Sequence, residues 1–194
     1  MSYTAIVKYN AGNIRSVELA FERLGKKAIV TDDGETLRNA DRVIFPGVGE
    51  ASSAMNYLQL KGLDKLLPTL TQPVLGICLG MQLLCQHSEE ADTQCLGVFD
   101  HEVKKFIGSS KIPHMGWNTI EQTVKPLFNS ITENPFMYFV HSYYADLGKQ
   151  TAAVTDYIIP FSAALQKDNF YGVQFHPEKS GDLGEQLLKN FLAL

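Results

Sequence analysis

The sequence contains no long hydrophobic run, and this bears on whether the chain crosses a membrane. Apolar runs such as residues 74–77 are short, whereas a helix needs roughly 20 apolar residues to span a bilayer. Residues 1–8 also lack the basic region and apolar stretch of a secretory signal. We therefore expect no membrane segment and a cytoplasmic location.

Cysteine is scarce too, with three residues in the whole chain. Cys78 and Cys85 lie in a predicted helix, about 10 Å apart along its axis, which is too far for a disulfide. A pairing of Cys95 with either of them stays open. A reducing compartment favours free thiols.

Neither sign of charge dominates, which excludes one class of partner. The 17 basic and 21 acidic residues give a net charge of -4, unlike proteins that bind by neutralising phosphates. We expect no nucleic-acid partner. A hydrophobic content of 45% with 20% charged residues is typical of a globular protein with a sizeable core. Without repeats or low-complexity linkers, we predict a single domain over residues 1–194.

The first half of the chain alternates predicted strands and helices. Helical spacing of apolar residues follows Asn13, a candidate N-cap, and ends near Gly25. The predicted strands cover 4–7, 28–30, 42–45 and 74–77, and the helices lie after Asn13, at 35–39, within 51–67 and at 79–87. Such alternation indicates an α/β fold, with a central, mostly parallel sheet and helices on both of its faces.

From Leu96 onward, closely spaced strand patterns predict an antiparallel extension of that sheet. A hairpin-like turn at 167–169 separates two of these runs, and an apolar stripe marks a closing helix. The predicted strands lie around Val98 and Val103 and at 117–120, 136–144, 162–165 and 170–175, and the stripe consists of Leu183, Leu187, Phe191 and Leu194.

Residues 76–80 have the form G-x-C-x-G at a strand-to-helix junction, the pattern of a nucleophile elbow. A side chain at Gly76 or Gly80 would crowd so sharp a turn. The helix N-terminus favours the thiolate of Cys78, the reactive form. The alternative, that Cys78 is only a small buried hydrophobic residue, stays open.

A thiolate that attacks an amide also needs a proton donor for the leaving nitrogen. His176 ends an alternating strand before Pro177, which favours an extended backbone at His176. In an extended chain Glu178 points to the same side as His176, and we predict that it orients the imidazole. An ordinary solvated pair is the alternative.

The oxyanion of a tetrahedral intermediate requires backbone donors. The candidates are the amide of Leu79 and the loop at 46–49, with Val48 and Gly49, since both lie at the predicted carboxyl edge of the sheet. An ordinary strand-to-helix turn is the alternative for the loop.

Taken together, these segments resemble the class I glutamine amidotransferases over nearly the whole chain. The resemblance implies a flavodoxin-like fold and a triad of Cys78, His176 and Glu178. In such a triad the cysteine forms a thioester with glutamine and releases ammonia, without a metal or a cofactor. The resemblance also implies a set of residues that bind glutamine, namely Gly47, Gln82, Glu90, His141, Ser142 and Tyr143.

Four segments narrow the resemblance to family members that act as the glutaminase subunit of a synthase in histidine biosynthesis: 9–17, 46–49, 113–118 and 176–180. This implies a (β/α)8-barrel synthase subunit as the partner, which receives ammonia through a sheltered route. Lys8 and Gly181 depart from the family's usual residues outside the triad. The candidate docking residues are Asn10, Asn13, Met115, Trp117 and Lys179, although a core position for Trp117 stays open.

Two other functions stay open at this stage. One is a cysteine peptidase or amidase that acts alone, against which the segment at 113–118 argues. The other is a scaffold that only regulates a partner, against which the intact triad argues.

Overall fold

The computed structural model describes residues 2–10 and 12–194, and its first half alternates strands with helices. The strands are β1 (Thr4–Val7), β2 (Ala28–Thr31), β3 (Arg42–Phe45) and β4 (Val74–Ile77). The helices are α1 (Ile14–Arg23), α2 (Gly34–Arg38), α3 (Ala51–Leu60), α4 (Leu63–Leu66) and α5 (Leu79–Leu84). These bounds confirm the strands predicted at 4–7, 42–45 and 74–77.

The second half is mostly β structure and ends in a helix. Its strands are β5 (His87–Ser88), β6 (Thr93–Gln94), β7 (Glu102–Lys105), β8 (His114–Thr119), β9 (Phe136–His141), β10 (Tyr143–Ala145), β11 (Thr151–Tyr157), β12 (Ile159–Lys167) and β13 (Phe170–Val173). A 3₁₀ turn at Pro177–Lys179 leads into α6 (Gly181–Leu192).

Eleven of these strands form one sheet in the order β2-β1-β3-β4-β13-β12-β10-β7-β5-β6, with β11 paired to β12. Pairing is parallel from β2 through β13, and antiparallel where β12 joins β13, β10 and β11. The predicted α/β fold with an antiparallel extension is confirmed. The carboxyl ends of β1, β3, β4 and β13 lie at one edge of the sheet, where such folds bind ligands.

The central strands are buried on both faces, which explains why they are apolar at nearly every position. In β3, Val43 and Phe45 pack into one hydrophobic cluster, with α2 to α5. Ile44 points to the opposite face and packs with residues of α1 and α6. One hydrophobic core therefore packs against each face of the sheet, and together they fix the position of its carboxyl edge.

The helix predicted at 79–87 was too long, and the strand predicted around Val98 is absent. Helix α5 ends at Leu84, and Cys85 is extended. The amides of Val98 and Phe99 both donate to the Leu84 carbonyl, at 2.9 Å each, and the amide of Gly97 donates to Cys85. A distant loop thus satisfies the carbonyls at the helix end, and residues 87–88 are released to form β5.

Two features of the second half departed from the predictions. Strand β11 was not predicted at all, although its pairing with β12 extends from Thr151 to Tyr157. The predicted run at 117–120 begins earlier, at His114, and β8 pairs only with β9 in a separate two-stranded sheet. This small sheet lies over the carboxyl edge of the main sheet, since the Tyr138 carbonyl accepts a bond from the His176 amide at 2.8 Å.

Within the described residues, every helix is too short or too polar to cross a membrane.

Candidate active site

The strand-to-helix turn between β4 and α5 presents Cys78 in a strained backbone conformation, with φ 53° and ψ -109°. A Cβ added to Gly80 would lie 1.7 Å from the Phe45 carbonyl oxygen, and one added to Gly76 would lie 2.8 Å from the Met81 nitrogen. Only glycine permits both approaches. The predicted sharp turn is therefore present, and Cys78 lies at the wall of a cavity rather than sealed in the core.

His176 and Glu178 form a buried hydrogen-bonded pair beside Cys78. The His176 Nδ1 nitrogen lies 2.8 Å from the Glu178 carboxylate, and both side chains are fully buried. Since a carboxylate accepts, Nδ1 donates, and Nε2 is left without another hydrogen-bond partner among the described residues. Nε2 is therefore the nitrogen that is free to exchange a proton.

The pKa values of the pair favour the charged forms. Burial lowers the pKa of His176, but the interactions with Cys78 and then with Glu178 outweigh it and raise that pKa to about 10. Burial raises the pKa of Glu178, but hydrogen bonds from His176 and Asn13 outweigh it and hold the pKa below its ordinary value. An imidazolium with a carboxylate beside it is the arrangement that can protonate a leaving nitrogen.

The backbone conformation that brings Glu178 to His176 differs from the prediction. His176 is extended, as expected, with φ -102° and ψ 95°. Glu178 lies in the 3₁₀ turn at Pro177–Lys179 instead of an extended chain. The turn brings the carboxylate back under the imidazole, so the alternation argument was wrong although the pairing it predicted is present.

Asn13, predicted as a docking residue and an N-cap, also contacts Glu178 and His176. It stands at the N-cap position of α1 in a left-handed conformation, but its side chain makes no capping bond. Its Nδ2 donates to the Glu178 carboxylate at 2.6 Å and lies 3.3 Å from His176 Nδ1. The side chain therefore helps to hold the carboxylate in place beside the imidazole.

One of the predicted oxyanion donors is occupied by a backbone carbonyl in this structure. The Leu79 amide donates to the carbonyl oxygen of Gly47 at 3.2 Å. The Val48 carbonyl accepts from the Gly12 amide at 3.1 Å, which holds the loop in this orientation. Gly49 has a φ of 136°, a conformation that favours glycine. One peptide of the loop must reorient before the Leu79 amide becomes available.

A cavity of about 270 Å³ lies beside the sulfur, close to the lower end of the size range of small-molecule sites. Three of the predicted oxyanion residues and five of the predicted substrate residues line it; Gly47 contacts the Leu79 amide without lining the cavity. The predicted residues in its wall are Val48, Gly49, Leu79, Gln82, Glu90, His141, Ser142 and Tyr143.

Glu90 closes one side of this cavity. Its Oε2 accepts a bond from the Ala51 amide, at the start of α3, at 2.8 Å. Burial raises the pKa of Glu90, which the bond from Ala51 partly offsets. A carboxylate in this position can pair with the ammonium group of an amino acid.

Two histidines that are buried and neutral support the opposite wall. His141 Nδ1 donates to the Tyr143 carbonyl at 2.7 Å, so its Nε2 accepts from His114 Nδ1 at 3.0 Å. Burial lowers the pKa of His141 to about 3 and that of His114 to about 4. The backbone around Ser142 is thereby held in one position. His114 is a residue whose role the sequence did not indicate.

The other predicted docking residues lie on an exposed face of the small sheet or beside it. Met115 and Trp117 are 58% and 55% exposed, so Trp117 is not a core residue. The Trp117 ring packs edge-on against Tyr138, and the Lys179 ammonium lies 6.0 Å from the centre of that Tyr138 ring. Asn10 is exposed and donates to the Ser53 hydroxyl at 2.7 Å.

Cys85 and Cys95 are free, which settles the pairing that the sequence left open. Burial raises the pKa of Cys95 to about 12 and that of Cys85 well above its ordinary value. Both are therefore thiols at neutral pH. Among residues 2–10 and 12–194, no cluster of three or more His, Cys, Asp or Glu side chains could hold a metal ion.

Comparisons with known proteins agree with this geometry. The family model "Glutamine amidotransferase class-I" matches residues 3–194. The chain is 61% identical to the imidazole glycerol phosphate synthase subunit HisH of Bacteroides thetaiotaomicron, over 98% of each protein. It is 49% identical to the subunit of the same name from Idiomarina loihiensis, over 97% of this chain and 96% of that one. A solved glutamine amidotransferase shares the fold, with a TM-score of 0.74 and 19% identity over 97% of each chain.

Proposed function

The chain belongs to the class I glutamine amidotransferase family, and we propose that it is the glutaminase subunit of an imidazole glycerol phosphate synthase. Relatives that carry this name match it over nearly their whole length. The observation that carries the proposal is that Cys78 lines a cavity of amino-acid size and that the buried pair of His176 and Glu178 interacts with its thiolate. Residues 1–194 then act as one amidotransferase domain in the cytoplasm.

In the first half of the reaction, the Cys78 thiolate attacks the side-chain amide carbon of glutamine. The carbonyl oxygen becomes an oxyanion, and the new C–S bond forms a tetrahedral intermediate. The His176 imidazolium then gives the proton on Nε2 to the amide nitrogen as the C–N bond breaks. Ammonia leaves, and the γ-carbonyl of the substrate remains as a thioester on Cys78.

In the second half, neutral His176 accepts a proton from water while the water oxygen attacks the thioester carbon. The C–S bond breaks, glutamate leaves, and the sulfur returns as a thiolate beside the imidazolium. Glu178 holds the same tautomer throughout, because its carboxylate always accepts the Nδ1 proton. Overall, glutamine and water yield glutamate and ammonia.

Substrate recognition in this scheme uses both walls of the cavity. Glu90 accepts the ammonium group of glutamine, and the fixed backbone around Ser142 and Tyr143 binds its polar groups. The neutral state of His141 supports this role, because protonation would remove the acceptor that orients His114. Gln82 contributes from α5.

The Leu79 amide must exchange the Gly47 carbonyl for the oxyanion during catalysis. We propose that the synthase subunit drives this change, so that glutamine is hydrolysed only when ammonia can be used. The bond between Leu79 and Gly47 supports an inactive resting state. Removal of a single oxyanion donor costs about 10²- to 10³-fold in rate in other enzymes.

The partner is a synthase subunit with a (β/α)8 barrel. The face of this chain that docks onto it includes Met115, Trp117 and Lys179. Exposed Trp and Met beside a cation are common at protein interfaces. This face lies next to the cavity, since Val140 of the same small sheet lines it. Ammonia released there can pass to the partner without reaching water, where it would be protonated.

Glutamate release by the purified chain tests the proposal directly. It should be measured without a partner, with the barrel subunit, and with the barrel subunit and its nucleotide substrate. We expect strong activity only in the last case. Cleavage of peptides with no action on glutamine would favour a solitary peptidase, and the absence of any hydrolysis would favour a regulatory scaffold.

A further inference from the structure

Gln174 is a fully buried amide beside the reactive sulfur, and the mechanism above gives it no role. Its Nε2 lies 3.6 Å from Cys78 Sγ. It extends from the end of β13, where its backbone amide donates to Ala163 at 2.9 Å. His176 lies two residues further along the chain, after a bend at residues 174–175.

The orientation of the Gln174 amide is determined by a chain of hydrogen bonds that begins at a backbone carbonyl. The Tyr143 carbonyl can only accept, so the Gln82 side-chain atom 2.8 Å from it is the nitrogen. The same Gln82 nitrogen lies 2.8 Å from the Gln174 side chain, which must therefore present its oxygen there. The Gln174 nitrogen then faces the sulfur, and it is a donor.

The other groups around the sulfur do not replace this donor. The Val140 carbonyl lies 3.9 Å from Sγ and can only accept, so it suits the thiol form. Tyr9 donates its hydroxyl to the Pro46 carbonyl at 2.6 Å. Burial and the charge of Cys78 raise the pKa of Tyr9 well above its ordinary value, so it stays a neutral phenol. Among the described residues, His176 also interacts with the Cys78 thiolate and can give it a proton.

We propose that Gln174 is a catalytic hydrogen-bond donor to the Cys78 thiolate, and that the bonds from Tyr143 through Gln82 keep its nitrogen on the sulfur. The two donors differ in one respect. His176 loses its proton to ammonia, whereas a neutral amide stays a donor at every stage. Gln174 therefore still faces the sulfur when the C–S bond breaks and the thiolate has to leave. The role in turnover rests on the proposed glutaminase function, whereas the effect on the sulfur does not.

Alkylation of Cys78 by iodoacetamide tests the proposal, because the thiolate is the form that reacts. Gln174→Glu keeps an acceptor for Gln82 but places an acceptor against the sulfur. We expect its alkylation near pH 6 to be slower by about tenfold or more, the equivalent of one pH unit in thiolate formation. The rates of the variant and the parent should converge in strongly alkaline solution. A purely structural defect would persist there.

Two further variants keep the test decisive. Gln174→Met removes the donor without adding charge, and we expect about threefold slower alkylation near pH 6, since one neutral hydrogen bond is lost. Gln72→Glu is the matched control, because Gln72 also donates its amide to a carbonyl, that of Leu37, away from the sulfur. Its alkylation should equal that of the parent. Mass mapping would assign the label to Cys78, with Cys85 and Cys95 as unreactive internal references.

The results of these experiments distinguish a failure of the proposed role of Gln174 from a failure of the proposed glutaminase function. A folded Gln174→Glu or Gln174→Met variant that is alkylated at the parent rate near pH 6 would overturn the role of Gln174. Failure of the parent protein to hydrolyse glutamine, with the alkylation difference intact, would overturn the glutaminase proposal alone. In the active complex, we also expect Gln174→Glu to lower kcat by about tenfold with little change in KM, since the thiolate is not a binding group.

Discussion

The proposed triad and the proposed oxyanion loop differ in how far each is assembled. Glu178 already accepts hydrogen bonds from His176 and Asn13, which orient the imidazole. The Leu79 amide, in contrast, is occupied by the Gly47 carbonyl. The nucleophile can thus be kept ready while hydrolysis is controlled by one peptide orientation. A loop peptide can rotate without unpacking a core, whereas a buried ion pair cannot be separated at low cost.

The largest effect should follow removal of the nucleophile. Cys78→Ala should lower glutamine-dependent synthesis by the complex by about 10⁴-fold or more, because no thioester can form. Synthesis from added ammonia should continue, since that route does not need the triad. Product formation from each nitrogen source measures both. Cys95→Ala, a buried thiol outside the site, is the control, and loss of both activities in Cys78→Ala would contradict the assignment.

The next effect tests the loop itself. Glutamate release by the isolated chain should be about 10²- to 10³-fold slower than in the complex with bound nucleotide, the usual cost of one missing oxyanion donor. Alkylation of Cys78 in the isolated chain should nevertheless be rapid relative to Cys85 and Cys95, because the triad side is complete. Full hydrolysis by the isolated chain would show that the loop imposes no control.

The neutral histidines behind the cavity make stability depend on pH. The pKa values of His141 and His114 are lowered by burial to about 3 and about 4. Between those values and about 6.5, the unfolded chain binds more protons than the folded one, so stability falls as pH falls through this window. Each neutral histidine contributes up to about 1.4 kcal/mol per pH unit. Urea unfolding from pH 7 to pH 4 measures the slope, which should be smaller in His114→Gln.

The smallest effect compares two asparagines of one loop. Asn13→Ala removes a hydrogen bond to a buried carboxylate, and kcat for glutamine hydrolysis in the complex should fall about tenfold. Asn10→Ala, which loses only the exposed contact to Ser53, should leave kcat unchanged. Saturating partner removes any difference in docking affinity. Equal kcat values for the two variants would show that the hydrogen bond from Asn13 to Glu178 does not contribute to catalysis.

Much of the fold could be predicted because its signals are local. The strands at 42–45 and 74–77 are short, mostly apolar runs, one before Pro46 and the other before the turn at Cys78, and the structure has them at those residues. Strand β11 escaped prediction although its partner β12 follows it directly, because Ala152, Ala153 and Asp156 belong to residue types that are depleted in strands. The end of α5 escaped for another reason, since residues 97–99, outside the helix, supply the bonds that terminate it.

The candidate site divides in the same way. Cys78 could be found from the glycines around it, because the close approach of Phe45 to Gly80 excludes any side chain. Gln174 gave a weaker signal, a polar residue two positions before His176 at the end of a buried strand. Asn13 gave none, because its contact with Glu178 joins residues far apart in the sequence.

By itself, the sequence determined the strand-helix alternation and the sharp turn at Cys78, since both depend on steric and hydrophobic patterns within a few neighbouring positions. The triad of Cys78, His176 and Glu178 was predicted from the resemblance to a family. Only the tertiary structure decided that a 3₁₀ turn brings Glu178 under His176, that Gly47 occupies the Leu79 amide, and that the Gln174 nitrogen faces the sulfur. These are hydrogen-bond choices, and a donor can select among many acceptors until packing has brought one of them within reach.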